Sequence, residues 1–156
     1  MKVIDCFMYF DEDHLLEIRL NTLYDFVDKF VIVEANLDHA GNFRKPQFNL
    51  EKFSKFKKKI KYILIKDLPT HNNFYKKNWG PAWRRENLQR NALSKGYEDC
   101  GPEDLIMISD LDEIPDPFKI SQFTNKNKYG CFVQKNFLYK FNLLNVDEPK
   151  WYGTRI

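Results

Sequence analysis

Leu105-Ile106-Met107-Ile108-Ser109-Asp110-Leu111-Asp112-Glu113-Ile114-Pro115 is an apolar run that breaks off into three carboxylates. The run reads as a buried strand, and the acids then stand at its C-terminal end. Asp110 and Asp112 are two apart, so on an extended backbone their side chains leave the same side. Two carboxylates that close repel each other, and both stay ionised only beside a cation. A hard divalent metal, magnesium or manganese, that also holds a phosphate meets that need. The competing reading is a helix cap, since Asp before Pro115-Asp116-Pro117 often opens a helix. A cap accounts for one acid, not for three.

Outward from this stretch the pattern alternates. Lys2 to Phe10 is apolar and β-prone, the first strand. Asp11-Glu12-Asp13 suits a helix start, and Leu16, Leu20, Leu23 and Val27 recur at helical spacing, with Leu15 and Ile18 widening the stripe. Phe30 to Glu34 is a second buried strand that ends in an acid, and Asn36 to Pro46 is a loop. Lys52 to Lys61 is a basic run interleaved with Phe53, Phe56 and Ile60, which predicts an amphipathic helix with a solvated face. Ile60 to Ile65 is a third strand. Asp67 to Gly80 is polar, with Asn72-Asn73 and His71. Pro81 opens a helix that Gly96 stops. Leu105 to Ser109 is the fourth strand, Pro117 to Phe123 a short helix, and Tyr129 to Leu144 one or two further strands.

Strands that alternate with helices imply crossover connections, hence an α/β fold with a mostly parallel sheet and helices on both faces. Such sheets bind ligands at the C-terminal ends of their strands, near a switch in strand order. Asp11, Glu34, Asp67 and Asp110 all fall at or just after strand ends, an acidic rim where a metal-bound nucleotide would sit.

The 156 residues suffice for one domain, 1–156, with a real core. A net charge of +3 is too small to argue for nucleic acid. The 14 Phe are mainly core filler, although flat side chains also suit sugars and bases. Cys6, Cys100 and Cys131 lack CxxC spacing and cannot all pair, which points to a reducing, cytoplasmic setting. No apolar run approaches a membrane span, while the basic run could touch an anionic membrane surface.

No glycine-rich phosphate loop is present, so a bound diphosphate needs a metal and Arg or Lys. Arg84, Arg85 and Arg90 lie on the Pro81 helix, with Glu86 and Arg90 an i,i+4 pair. Arg19, inside the first apolar stripe, is expected to bury its guanidinium against Glu34 or Asp5. His14, His39 and His71 lack metal-ligand spacing. Trp79, Trp83 and Trp151 lie in or beside loops, where one could stack on a sugar ring.

Several stretches together resemble glycosyltransferase family 17, which includes the β-1,4-mannosyl-glycoprotein N-acetylglucosaminyltransferases. They are Asp5-Cys6-Phe7-Met8-Tyr9-Phe10-Asp11-Glu12, Leu15 to Leu20, and Val27 to Glu34. Gly41 with Lys45-Pro46, the Trp83/Glu86/Arg90 helix, Ser109 to Pro115 and Trp151-Tyr152-Gly153-Thr154 complete the set. The resemblance implies a GT-A type fold, a Rossmann-like nucleotide-binding sandwich whose DxD motif binds a divalent metal and the donor diphosphate. It implies Asp112 as the direct metal ligand and Asp110 as a contact to ribose or metal water. It further implies an inverting reaction from a UDP-sugar donor to a glycan acceptor. By their own positions, Asp11 and Glu34 at strand ends and Arg90 on the Pro81 helix are the candidates around that donor. Family members continue where this chain stops at Ile156, so the chain is expected to be shortened at its C-terminus. Asp147 and Glu113 are then the in-chain candidates for the catalytic base. Two alternatives stand beside this reading. One is a nucleotide-sugar-binding module without turnover. The other is a metal-dependent phosphohydrolase of the haloacid-dehalogenase type, whose DxD usually lies near the N-terminus.

Overall fold

The computed structural model describes residues 1–70, 80–123, 127–140 and 142–156. His71, Asn72, Asn73 and Trp79 lie outside the described residues. Six strands form one sheet: β1 (Val3–Met8), β2 (Lys29–Ala35), β3 (Ile60–Ile65), β4 (Leu105–Ser109), β5 (Cys131–Lys135) and β6 (Lys150–Arg155). Their order is β3-β2-β1-β4-β6-β5. The four strands β3, β2, β1 and β4 are parallel, as the alternation of strand and helix requires, whereas β6 is antiparallel to both β4 and β5. The antiparallel edge fits a sheet that is mostly, not wholly, parallel. Among the described residues of Tyr129–Leu144 only Cys131–Lys135 is strand, and its partner is Lys150–Arg155, where charged ends and Gly153 hide the strand pattern.

The two faces of the sheet bury separate cores. Phe7, Phe30, Ile32 and Met107 meet Leu16, Leu20 and Leu23 of helix α1 (Asp13–Leu23) on one face. Ile4, Cys6, Val31 and Val33 meet Ala92 and Leu93, at the end of helix α2 (Pro81–Asn91), on the other. Successive strand residues therefore serve opposite layers, and strands buried on both sides carry no polar alternation. Phe7, Phe30, Phe53 and Phe56 are core residues. Ile18 is exposed and does not widen the α1 stripe.

The basic run does not form the expected amphipathic helix. Only Ser54–Lys59 is helical, as a 3-10 segment. Its lysines fasten it to neighbouring elements: Lys52 pairs with Asp13 at 2.6 Å, and Lys59 donates to the carbonyls of Tyr24 and Val27 at 2.7 and 2.8 Å.

The β2–β3 connection is held from beneath by Arg85, which is 1% exposed. It donates to the carbonyls of His39 and Pro69 at 2.9 and 3.0 Å. Gly41 sits over this guanidinium with φ +97°, and a Cβ there would lie 3.0 Å from Arg85 Cζ. Gly41→Ala meets both a backbone and a contact penalty, expected to destabilise by about 1–3 kcal/mol in urea denaturation. An unchanged midpoint would show that the loop can shift freely.

Candidate functional site

The strand order reverses between β1 and β4, the place where parallel α/β sheets open a crevice at their C-terminal ends. Residues 110–114 leave β4 at that point as a tight turn. Glu113 N–H donates to Asp110 O at 3.1 Å, and Ile114 N–H to Asp112 O at 3.0 Å. The two aspartates are therefore not on extended backbone, as their spacing alone suggested. The turn brings them to one side while Leu111 is buried between them.

Arg19 shapes this turn from below. Both Arg19 and Asp5 are fully buried, and the arginine grips the Asp5 carboxylate at 2.7 and 2.8 Å. The same guanidinium donates to Ser109 Oγ at 2.5 Å and to the carbonyls of Asp110, Leu111 and Glu113 at 2.9, 3.0 and 3.3 Å. One fork-shaped donor set thus gathers three carbonyls of the turn around a single buried cation. Of the two partners expected for Arg19, Asp5 is the one found.

The turn is also clamped from β5 and β6. Trp151 Nε1 donates to Glu113 Oε1 at 2.5 Å, while Glu113 Oε2 accepts from Asp110 N–H at 3.0 Å. Thr154 Oγ1 donates to Glu113 O at 2.7 Å, and Gln134 Nε2 to Ile114 O at 2.7 Å. Gln134 was not singled out by sequence reading, and Thr154 entered only within the Trp151-Tyr152-Gly153-Thr154 stretch, since nothing local marks a contact across the late, antiparallel edge.

Two clefts meet at the acidic turn. One, of about 360 Å³, is walled by the end of β1 (Met8, Tyr9, Phe10), by Glu12 and His39, and by Glu86, Gln89 and Arg90 of α2. The other, of about 790 Å³, is walled by Gln134 to Lys140 and by Trp151. Asp110, Asp112 and Leu15 belong to both. Arg90 reaches Glu86 at 2.9 Å and Asp110 at 3.0 Å, so Asp110 already faces a cation. Burial, then the charges of Asp110 and Glu113, raise the Asp112 carboxyl above the usual carboxylate range. A cap role is filled elsewhere: Asp116 accepts from Phe118 N–H at 3.1 Å and opens the 3-10 segment Pro117–Gln122.

Other expected site residues are placed apart from the clefts. Glu34 is fully buried, and its carboxylate receives Arg44, the N–H groups of Gln47 and Phe48, and Tyr62 Oη at 2.7–3.1 Å. It braces the loop after β2 instead of facing the rim. The physical reason is that residue 34 still lies within β2, on the face that packs against Phe48 and Tyr62. Asp11 and Asp67 are exposed and line neither cleft, and Asp147 is exposed in the β5–β6 connection, also off both walls. Next to Asp11, Glu12 is on the wall, its carboxylate accepting from Phe10 and Asp11 N–H at 3.0 Å. Of the α2 arginines, Arg90 faces a cleft, Arg85 is buried under the loop and Arg84 is exposed.

Among the described residues, no three His, Cys, Asp or Glu side chains form a metal cage. Glu113 is committed at both oxygens, which leaves Asp110 and Asp112. Two carboxylates suit a magnesium-like ion that takes its remaining ligands from water and a substrate phosphate. No helix among the described residues is long and apolar enough to cross a membrane. Neither the curated proteins nor the solved structures gave a match to this chain. The profile of glycosyltransferase family 17 matches residues 1–155, essentially the whole chain. Its span takes in β1, the acidic turn and the β6 clamp alike, and the chain belongs to glycosyltransferase family 17.

Proposed function

We propose that this glycosyltransferase is a metal-dependent, inverting enzyme of GT-A type that moves N-acetylglucosamine from a UDP-sugar to a glycan acceptor. The observation that carries the reading is the position of Asp110 and Asp112 on the shared edge of two clefts. A transferase needs its donor and acceptor to meet at one point, and the leaving diphosphate needs neutralising there. The smaller cleft, with Tyr9, Phe10 and Arg90, suits a nucleotide diphosphate. The larger suits the transferred sugar and the acceptor. Asp110 and Asp112 would hold manganese or magnesium, which supplies positive charge to the departing diphosphate.

The acceptor hydroxyl attacks the anomeric carbon opposite the diphosphate, whose bond to that carbon breaks with inversion. The hydroxyl proton passes to a base; of the two in-chain candidates, Asp147 stands off both cleft walls and Glu113 accepts hydrogen bonds at both oxygens in the free protein. Arg90 holds Asp110 in the free protein and can turn its guanidinium to a phosphate oxygen when the diphosphate enters. Arg90→Ala is therefore expected to weaken UDP binding by about tenfold or more, with Arg90→Lys recovering part of it. Equal UDP affinity across the three proteins in calorimetry would reduce Arg90 to a surface ion pair.

Mass spectrometry of reactions with UDP-N-acetylglucosamine, manganese and mannose-terminated acceptors tests the function. A product one N-acetylhexosamine heavier, abolished by EDTA, is the expected result. Donor binding without glycoside formation by any acceptor would leave a nucleotide-sugar-binding module.

A further inference from the structure

Trp151 is half-exposed, at 49%, on the wall of the larger cleft, yet its indole is not loose. Its N–H is held by Glu113 at 2.5 Å. Glu113 is fixed in turn by Asp110 N–H through its second oxygen and by Thr154 and Arg19 through its carbonyl. An exposed aromatic ring normally keeps rotamer freedom and gains little from being ordered. Here the ring is tied, through the Glu113 carboxylate, to the turn that carries Asp110 and Asp112. The N–H is used internally, so what the indole offers to the cleft is its apolar face.

We propose that the Trp151 indole face is the platform on which a pyranose ring of the acceptor stacks. We propose equally that Glu113 is a positioning residue that fixes this platform, not the proton acceptor. The inference rests on the glycosyltransferase reading and names the acceptor subsite within it. A pyranose has one face of axial C–H groups carrying slight positive charge, and an indole face is negative, so the two attract and exclude water between them. The cleft of about 790 Å³ has room for more than one ring, and Phe137 and Tyr139 line it with Trp151. Both oxygens of Glu113 accept hydrogen bonds in the free protein, so a proton taken from an acceptor would displace the tie to Trp151 or to Asp110 N–H.

The test is saturation-transfer NMR on the full chain with methyl glycosides of mannose, galactose and N-acetylglucosamine, run beside UDP–manganese calorimetry. At least one glycoside is expected to bind the wild type with transfer strongest at its C–H face. Trp151→Ala should weaken that binding about tenfold, and Trp151→Phe, which keeps a smaller face and loses the tie, by less. UDP affinity should change by less than glycoside affinity in both variants. No glycoside binding by the wild type, or equal binding by Trp151→Ala, overturns the proposal even where UDP binds well. Glycoside binding without UDP binding would instead contradict the donor reading and leave the platform standing. Trp151→Phe serves as the working variant if Trp151→Ala melts early. For Glu113, Glu113→Gln is expected to raise the acceptor KM while the acidic limb of the kcat/KM pH profile remains. Loss of that limb would make Glu113 the base and overturn its positioning role.

Discussion

Arg19→Ala is expected to lower stability by about 3–5 kcal/mol or to prevent folding, because it leaves the Asp5 carboxylate buried without its partner. It also removes a donor from the carbonyls of Asp110, Leu111 and Glu113, of which Asp110 O keeps the Glu113 N–H and Glu113 O keeps the Thr154 hydroxyl. The two effects separate in a double variant. Replacing a buried ion pair by apolar residues of similar volume is often close to neutral. Arg19→Met with Asp5→Leu should therefore recover much of the stability lost by Arg19→Ala, as read by urea denaturation. The acidic turn would still lack its template, and manganese-dependent UDP binding should remain impaired. Full recovery of both properties would show that the turn holds its shape without Arg19.

Asp112→Asn is expected to reverse that pattern, with stability kept and the metal effect lost. The substitution keeps shape and removes a charge that the proposed cation needs. Transfer should fall by roughly 10²–10³-fold, the scale of several kcal/mol of lost charge stabilisation. The folded-state carboxyl titrates above its ordinary value of 3.8, because burial and then the Asp110 and Glu113 charges penalise ionisation. In the metal-free protein that ionisation therefore costs stability above the folded value, and the cost is relieved as pH falls toward 3.8. Asn carries no such cost, so metal-free Asp112→Asn should melt no lower than the wild type at pH 7. A strong drop in melting temperature with manganese-dependent UDP binding intact would make Asp112 a structural acid.

Much of the fold was legible because hydrophobic runs bounded by breakers leave little choice. Ile60–Ile65 and Leu105–Ser109 are the strands their apolar content marks, and Pro81 opens α2 as its fixed φ favours. The Lys52–Lys61 run misled because its apolar spacing resembles a helical stripe, whereas Lys52, Lys55, Lys59 and Lys61 make contacts distant in sequence. β6 was missed since Trp151, Tyr152 and Gly153 show no alternation, and its pairing with β5 spans the long Asn136–Pro149 connection. At the site, the juxtaposition of Asp110 and Asp112 was readable but its cause was not. Spacing suggested an extended edge, while a turn templated by Arg19 does the work. Glu34 shows the limit of strand-end reasoning: an acid at the end of an apolar run can brace a loop, and Arg44 and Tyr62 claim it. Arg19 offered the better signal, since a charge inside an apolar stripe must find a buried partner.

The central claim is that Asp110 and Asp112 couple a divalent cation to the donor diphosphate. Calorimetric titration of UDP into the wild-type chain with manganese, then with EDTA, tests it most directly. The account predicts that manganese tightens UDP binding and that EDTA removes the whole gain. UDP affinity that is the same with manganese and with EDTA would contradict it.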